Sequence, residues 1–449
     1  MVPLYTYFVE KPSDYGYYDL CLSICMLLIP LSTLQLREGA FRFLLGNDKS
    51  SHAVIVNSVA WLLAKNLVIL IVFSVIAFVV FDIRYFWYCF ALLFVMTVHE
   101  VIAQTCRGLG NNKVYVVSNL MNAFCIGVFS VLFVVVAGMG VSGIFISNIL
   151  SRIVAISVIE AKVHIFSTLN FRSVNQDIMK EILRYCLPLI PITLCWSFTI
   201  SSGRFFIKYY QGLDANGIYA VSMRFTMVLQ TLSLIFYQTW QESSITQYNS
   251  PDRDTFFSKV FNNFLFLLVL LLVGFTFILK VNYFWLVNDV YSESLKYIYP
   301  LCIAAVLNAL SSAYFELGYQ CSKETKRAIP GIFLVFAVNI IFSFLLTPPY
   351  GIWGVTFASI ISYLVLDIYR YIDTRRYFHI TFNSSIILPV VVALFSAIPF
   401  YCTTAYWQDL LYLMIVLPIM IKFAPEDIQK IAKGAINKLP WQLPWFTKG

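Results

Sequence analysis

EVIAQTCR, residues 100–107, ends an apolar run with a glutamate, a glutamine and an arginine, and ELGYQCSK, residues 316–323, repeats the ladder 216 residues later. Spacings of 4 and 3 put Glu100, Gln104 and Arg107 on one helical face, which Thr97 extends by a turn. Glu316, Gln320 and Lys323 occupy the matching face, extended by Ser312 and Asn308. Two further pairs keep the same order. YFVEKPSDYGYYDL (7–20) matches YYQGLDANGIYAV (209–221), aligning Gly16 with Gly217 and Tyr18 with Tyr219, and GVSG (140–143) matches GIWG (351–354). Three pairs at similar offsets predict an internal duplication.

The solvent follows from composition. With 60% hydrophobic and 12% charged residues and a mean hydropathy of +0.78, the chain lies far from soluble domains, whose charged fraction is about a quarter. Its apolar runs have the length a helix needs to cross a hydrocarbon core of about 30 Å. Spans are expected near 15–36, 54–80, 86–106, 114–138, 141–165, 186–209, 215–238, 260–279, 295–318, 328–347, 351–372, 384–402 and 408–423. The opening MVPLYTYFVEK is too short to cross, lacks the marks of a signal peptide, and reads as the second half of a truncated first helix.

An even number of spans separates the two ladders, so both copies point the same way. The expectation is an all-α polytopic membrane protein with two parallel-repeat six-helix bundles plus two C-terminal helices. The bundles are placed at 1–172 and 173–377, the extra helices at 378–423, and a basic amphipathic cytoplasmic tail at 424–449. In that tail Ile428, Ile431, Ala435 and Ile436 share a face, and Trp441 and Trp445 follow, as in an anchor lying on the membrane surface.

The net charge of +8 reflects topology rather than nucleic-acid binding. Counting Lys49, Arg172 and Arg370 among the inner residues, 21 cations fall on one side and five on the other if the half-helix exits outward at Glu10, a strong positive-inside asymmetry. Basic ends also attract anionic lipid headgroups. Ten cysteines scattered without CxxC, and four histidines without HExxH, read as buried apolar fillers and single residues; no metal or cofactor is expected.

Ionisable groups at the bilayer centre cost about 2.5–3.5 kcal/mol on the lenient scale and must face water or protein. Arg37, Lys65, Arg152, Arg204 and Arg224 lie within spans, where carboxylates are fewer, and a cavity with surplus positive charge suits an anionic substrate. Polar seams run beside them: Thr193, Ser197, Ser201, Arg204 and Lys208, and then Ser222, Thr226, Gln230, Ser233, Tyr237 and Gln241. Asn57, Trp61 and Lys65 form a shorter stripe, and Glu38 and Arg42 are spaced as an ion pair. The seams line a wet cavity or hydrogen-bond neighbouring helices in a dry bundle.

At these residues the sequence resembles a known family. PLYTYFVEKPSDYGYYDL, LREGAFRFLL, RYCLPLIPITLCWSFTISSGRFFIKYYQGLDANGIYAV and the GVSG and GIWG turns are similar to the polysaccharide flippases of O-antigen and capsule export. Those flippases belong to a superfamily shared with drug/cation antiporters and lipid II flippases. The resemblance implies alternating access acting on undecaprenyl-pyrophosphate-linked oligosaccharide, in the bacterial inner membrane. It also implies a cationic lumen for the pyrophosphate, with membrane lipids and other polysaccharide-assembly proteins as candidate partners. Arg42, Arg204 and Arg224 match basic residues common in the family. Two positions depart: Gly203 stands where members often have Asp, and Gln35 where they have Gly. Glu38, Glu100 and Glu316 are then the acids available for proton or ion coupling.

Two rival readings are a membrane glycosyl polymerase or ligase and a cation-coupled drug antiporter. Short outer loops leave little room for the first, and a cationic lumen disfavours the second. The acidic DRD at 252–254 reads as a solvated helix start. With no GxxxxGK[ST] loop, direct use of ATP is not expected.

Overall fold

A computed structural model describes residues 2–9, 11–46, 51–80, 84–170, 174–322 and 324–430. Glu10, Lys49, Arg172, Lys323 and the tail beyond 430 lie outside the described residues. Those described are helical, and they form two compact units, Met1–Lys208 with Gly212–Gly217, and Tyr209–Gln211 with Ile218–Gly449.

The first unit contains α1 (Val2–Phe8), α2 (Pro12–Ser32), α3 (Leu36–Gly46), α4 (His52–Val80), α5 (Phe86–Gly108), α6 (Asn112–Ser130), α7 (Gly140–Val163), α8 (Gln176–Cys186) and most of α9 (Leu189–Gln211). The second contains most of α10 (Leu213–Gln247), then α11 (Arg253–Leu286), α12 (Leu295–Ala309), α13 (Glu316–Cys321), α14 (Ile329–Tyr350), α15 (Ile352–Thr374), α16 (Ile387–Phe395), α17 (Ala397–Cys402) and α18 (Tyr406–Lys422). Packing therefore divides the chain later than the repeat boundary at 172. The cause is local: α8 packs on α3 and α4, and α9 is tied by an ion pair to α2.

Eleven helices among the described residues are long and apolar enough to cross a membrane, or twelve with the bent pair α8–α9. The last expected span is α18, of 17 residues. The outer surface fits lipid. Along α4, Val68, Ile69, Val72, Phe73, Ile76 and Val79 are all exposed, a belt far too apolar for a water-facing helix. Polar and charged groups such as Asp19, Asn66, Arg204 and Arg370 are buried instead. Six of the ten cysteines are buried and none forms a disulfide.

Geometry supports the duplication read from the repeated turns. Gly140 and Gly351 open α7 and α15 with φ of +56° and +57°, left-handed values that a side chain rarely adopts. Three residues on, Gly143 and Gly354 lie against the backbone of the preceding helical segment, at Phe133 and Leu346, closing the hairpins α6–α7 and α14–α15. The aligned glycines Gly16 and Gly217 also meet: a Cβ on Gly16 would stand 2.6 Å from the Gly217 nitrogen.

One expected span is broken. The run 15–36 stops at Ser32, and Leu34 and Gln35 turn left-handed (φ +50° and +55°) before α3 resumes. Gln35 thus occupies a conformation that suits glycine. The interruption frees backbone carbonyls inside the membrane, where they need internal donors. Asn66 supplies them, its Nδ2 donating to the Ser32 carbonyl and, at 3.2 Å, to that of Leu31.

Candidate functional site

The polar interior of the first unit is assembled from α2, α3, α5, α7 and α9. Arg204, buried on α9, donates through Nε to Asp19 Oδ2 on α2 at 2.5 Å, and through an Nη to the Ile200 carbonyl at 3.2 Å. Asp19 is itself 1% exposed. One helical position away, Tyr18 receives a hydrogen bond from Asn148 on α7 at 3.0 Å. Asn148 accepts in turn from Arg152, at its carbonyl (3.0 Å) and side-chain oxygen (3.2 Å). Glu100 and Tyr18 act on Arg152 electrostatically, but among the described residues no carboxylate stands within ion-pair distance of it. Glu100 pairs instead with Arg37 on α3 (3.3 Å), and Arg37 also meets Glu38 (3.4 Å).

These contacts sort the expected cations. Arg37 and Arg204 are matched by carboxylates of the protein itself. The carboxylate at Arg204 is Asp19, which is not among the candidate site residues of the sequence. Its sequence signal is an Asp followed by the long apolar run 20–32. Glu38 pairs with Arg37 rather than with Arg42, although Glu38 and Arg42 stand i and i+4 in the same unbroken α3. Arg42 is exposed and lies 5.3 Å over the Tyr185 ring. Lys65, also exposed, sits 5.2 Å over Trp61.

The polar stripes differ in character. On α9, Thr193 and Ser197 are half-buried while Ser201 is buried, and Thr193 returns its hydroxyl to Leu189. Asn57 is buried and structural: it donates to the Ala53 carbonyl and accepts from the Asn170 amide at 2.7 Å. In the second unit Thr226 and Ser233 are buried and donate to carbonyls of their own helix, and Gln230 is half-buried. Farther along, Tyr237 and Gln241 of α10 both donate to Gln320 Oε1 on α13 at 2.9 Å. That stretch of the seam bonds helices together. Arg224 is half-buried on the same helix.

Glu316 meets Arg370 of α15 at 2.8 Å. Both ladder glutamates therefore hold an arginine, each from a different element. Arg370, counted in the sequence as an inner-side cation, is 3% exposed inside the second unit.

A family model described as polysaccharide biosynthesis protein matches residues 1–241. No curated protein matches the chain. Among solved structures, the lipid II flippase MurJ in an inward closed conformation aligns over 97% of this chain and 96% of its own, with a TM-score of 0.70 at 14% identity. An inward-facing multidrug resistance MATE family transporter of the MOP superfamily aligns over 84% and 93%, with a TM-score of 0.68 at 15% identity. At such identities the likeness is one of fold, a polytopic helical bundle.

Proposed function

Because the chain belongs to the polysaccharide biosynthesis protein family, we infer that it is a flippase moving undecaprenyl-pyrophosphate-linked oligosaccharide from the inner to the outer leaflet of the bacterial cytoplasmic membrane. The multi-pass fold shared with a lipid II flippase and a multidrug transporter supports a transport role over an enzymatic one.

The observation that carries the anionic part of the reading is Arg152. It lies in a membrane-crossing helix, held by the neutral Asn148, with no carboxylate in ion-pair range among the described residues. Arg204 differs, since Asp19 already balances it. An arginine fork with spare donors suits a pyrophosphate, whose charge would complete what Asn148 leaves open. Within the first unit, Thr193, Ser197 and Ser201 would offer hydrogen bonds to sugar hydroxyls, and Arg42 and Lys65 further positive charge. The headgroup would cross through the protein while the polyprenyl tail stays in lipid, by alternating access.

The test is genetic and chemical together. Deleting the gene should abolish surface polysaccharide and accumulate its lipid-linked precursor in the inner leaflet. Unchanged polysaccharide with no accumulation would overturn the reading.

A further inference from the structure

Asp367, Arg370 and Asp373 of α15, and Arg376 just beyond its end, alternate in sign at every third position from the interior outward. Their pairing does not come out even. Arg376 meets Asp373 at 2.6 Å near the exposed end, where Tyr319 also donates to Asp373 at 2.9 Å. Arg370 meets Glu316 at 2.8 Å and donates to the Ser311 carbonyl at 2.7 Å. Asp367 is left as the odd carboxylate. It is 8% exposed, Oδ1 accepts from the Ser311 hydroxyl at 2.5 Å, and Oδ2 is buried with no partner.

The backbone makes this possible. Leu310–Phe315 form a π-helical turn, and Ser311 within it offers its hydroxyl to Asp367 and its carbonyl to Arg370. Arg370 Nε is also buried without a partner. One guanidinium thus stands among two carboxylates, with Glu316 already its counterion. Other titratable groups of the packed elements are Tyr363, Tyr369 and Tyr371 on α15, Tyr314 on the π turn, whose hydroxyl donates to the Phe257 carbonyl, Lys296, Tyr297, Tyr299 and Cys302 on α12, and Tyr350 on α14. None is a second cation placed to match Asp367: Tyr297 touches Trp353 and Tyr350 precedes Gly351, both at the opposite end of α15.

A buried carboxylate with one hydrogen bond and no free counterion is unfavourable as an anion. We propose that Asp367 is a reversible proton-binding site of the second unit, taking one proton from water to become the neutral acid and returning it as the carboxylate. Protonation leaves the Arg370–Glu316 pair neutral as a set; release leaves one uncompensated negative charge at the π turn. Used as the coupling ion, this proton rests on the transport reading; its binding does not.

The experiment therefore needs no substrate. Infrared spectra of the purified full chain in liposomes are recorded across a pH series, in water and deuterium oxide. The wild-type minus Asp367→Asn difference should contain a carboxylic-acid C=O band that shifts on deuteration and disappears as pH rises, and Glu316→Gln, which frees Arg370 to balance Asp367, should make the band disappear at lower pH. Ser311→Ala, which removes the donor favouring the anion, should carry the same band to higher pH and guards against misfolding of Asp367→Asn. A difference without that band, a band constant with pH, or a Ser311→Ala titration unmoved would each overturn the proposal. A flippase assay that fails with the band intact would strike the proposed function alone.

Discussion

Arg204 and Asp19 form a buried ion pair, Nε to Oδ2 at 2.5 Å, that fastens α9 to α2 with side chains 6% and 2% exposed. Removing one member strands the other's charge in a membrane-spanning helix, whereas replacing both removes the problem. Arg204→Gln and Asp19→Asn are each expected to lower stability by about 3–5 kcal/mol. The double variant Asp19→Asn/Arg204→Gln should recover most of it. Apparent thermal midpoints in detergent, compared as a double-mutant cycle, read the coupling; additive losses would mean the pair is not a unit.

The glycine contact gives a second expectation. A methyl group on Gly16 would run into the Leu213 carbonyl and the Gly217 amide, and one on Gly217 into the Pro12 carbonyl. Backbone obstacles cannot swing aside as side chains do. Gly16→Ala and Gly217→Ala should each reduce folded protein in the membrane severalfold. Gly274→Ala, which meets only Leu417 Cδ2 at 3.9 Å, should not.

The broken second span predicts a third outcome. Asn66→Leu removes the donor to the Leu31 and Ser32 carbonyls while keeping side-chain bulk. A buried acceptor left unpaired costs about 1–3 kcal/mol. The melting midpoint should fall accordingly, and hydrogen exchange should rise at residues 33–37 above other parts of α3. Equal protection in both proteins would show that Asn66 does not hold the break.

Beyond α18, Asp427 joins Lys259 of α11 at 2.9 Å, and the lysine's hydrogen bond holds the Asp427 carboxyl below its usual range. A depressed folded value means the contact stabilises above the unfolded pKa of about 3.9 and is lost as pH falls through the folded one. Protection factors at 424–430, corrected for the intrinsic pH dependence of exchange, should therefore be flat through neutral and mildly acidic pH and fall only in strong acid. Asp427→Asn should show the lowered protection at every pH.

Much of this architecture is legible in the sequence because the membrane restricts what an apolar run can become. The GVSG and GIWG turns appear as matched left-handed glycines, and Gly16 and Gly217 as backbone contacts. Partners were harder to read than positions. Glu38 and Arg42 stand i and i+4 on the unbroken α3, yet Glu38 pairs with the neighbouring Arg37, and Arg37 is held in turn by Glu100 of α5, a partner that spacing within one helix does not show. Asp19 and Arg204 are 185 residues apart, so no local periodicity joins them. Arg370 looked like an inner-loop cation because it is four residues from the end of α15, yet Glu316 and a π turn from another helix enclose it.

On the proposed function, Arg152 supplies the surplus positive charge that recognises a pyrophosphate headgroup. The most direct test is flipping of undecaprenyl-pyrophosphate-linked oligosaccharide by purified protein in liposomes, comparing wild type, Arg152→Lys and Arg152→Gln. Losing a charge-assisted hydrogen bond of about 1.5–3 kcal/mol should slow Arg152→Gln by roughly tenfold to a hundredfold, with Arg152→Lys between. An Arg152→Gln protein that flips the lipid at the wild-type rate would contradict the account.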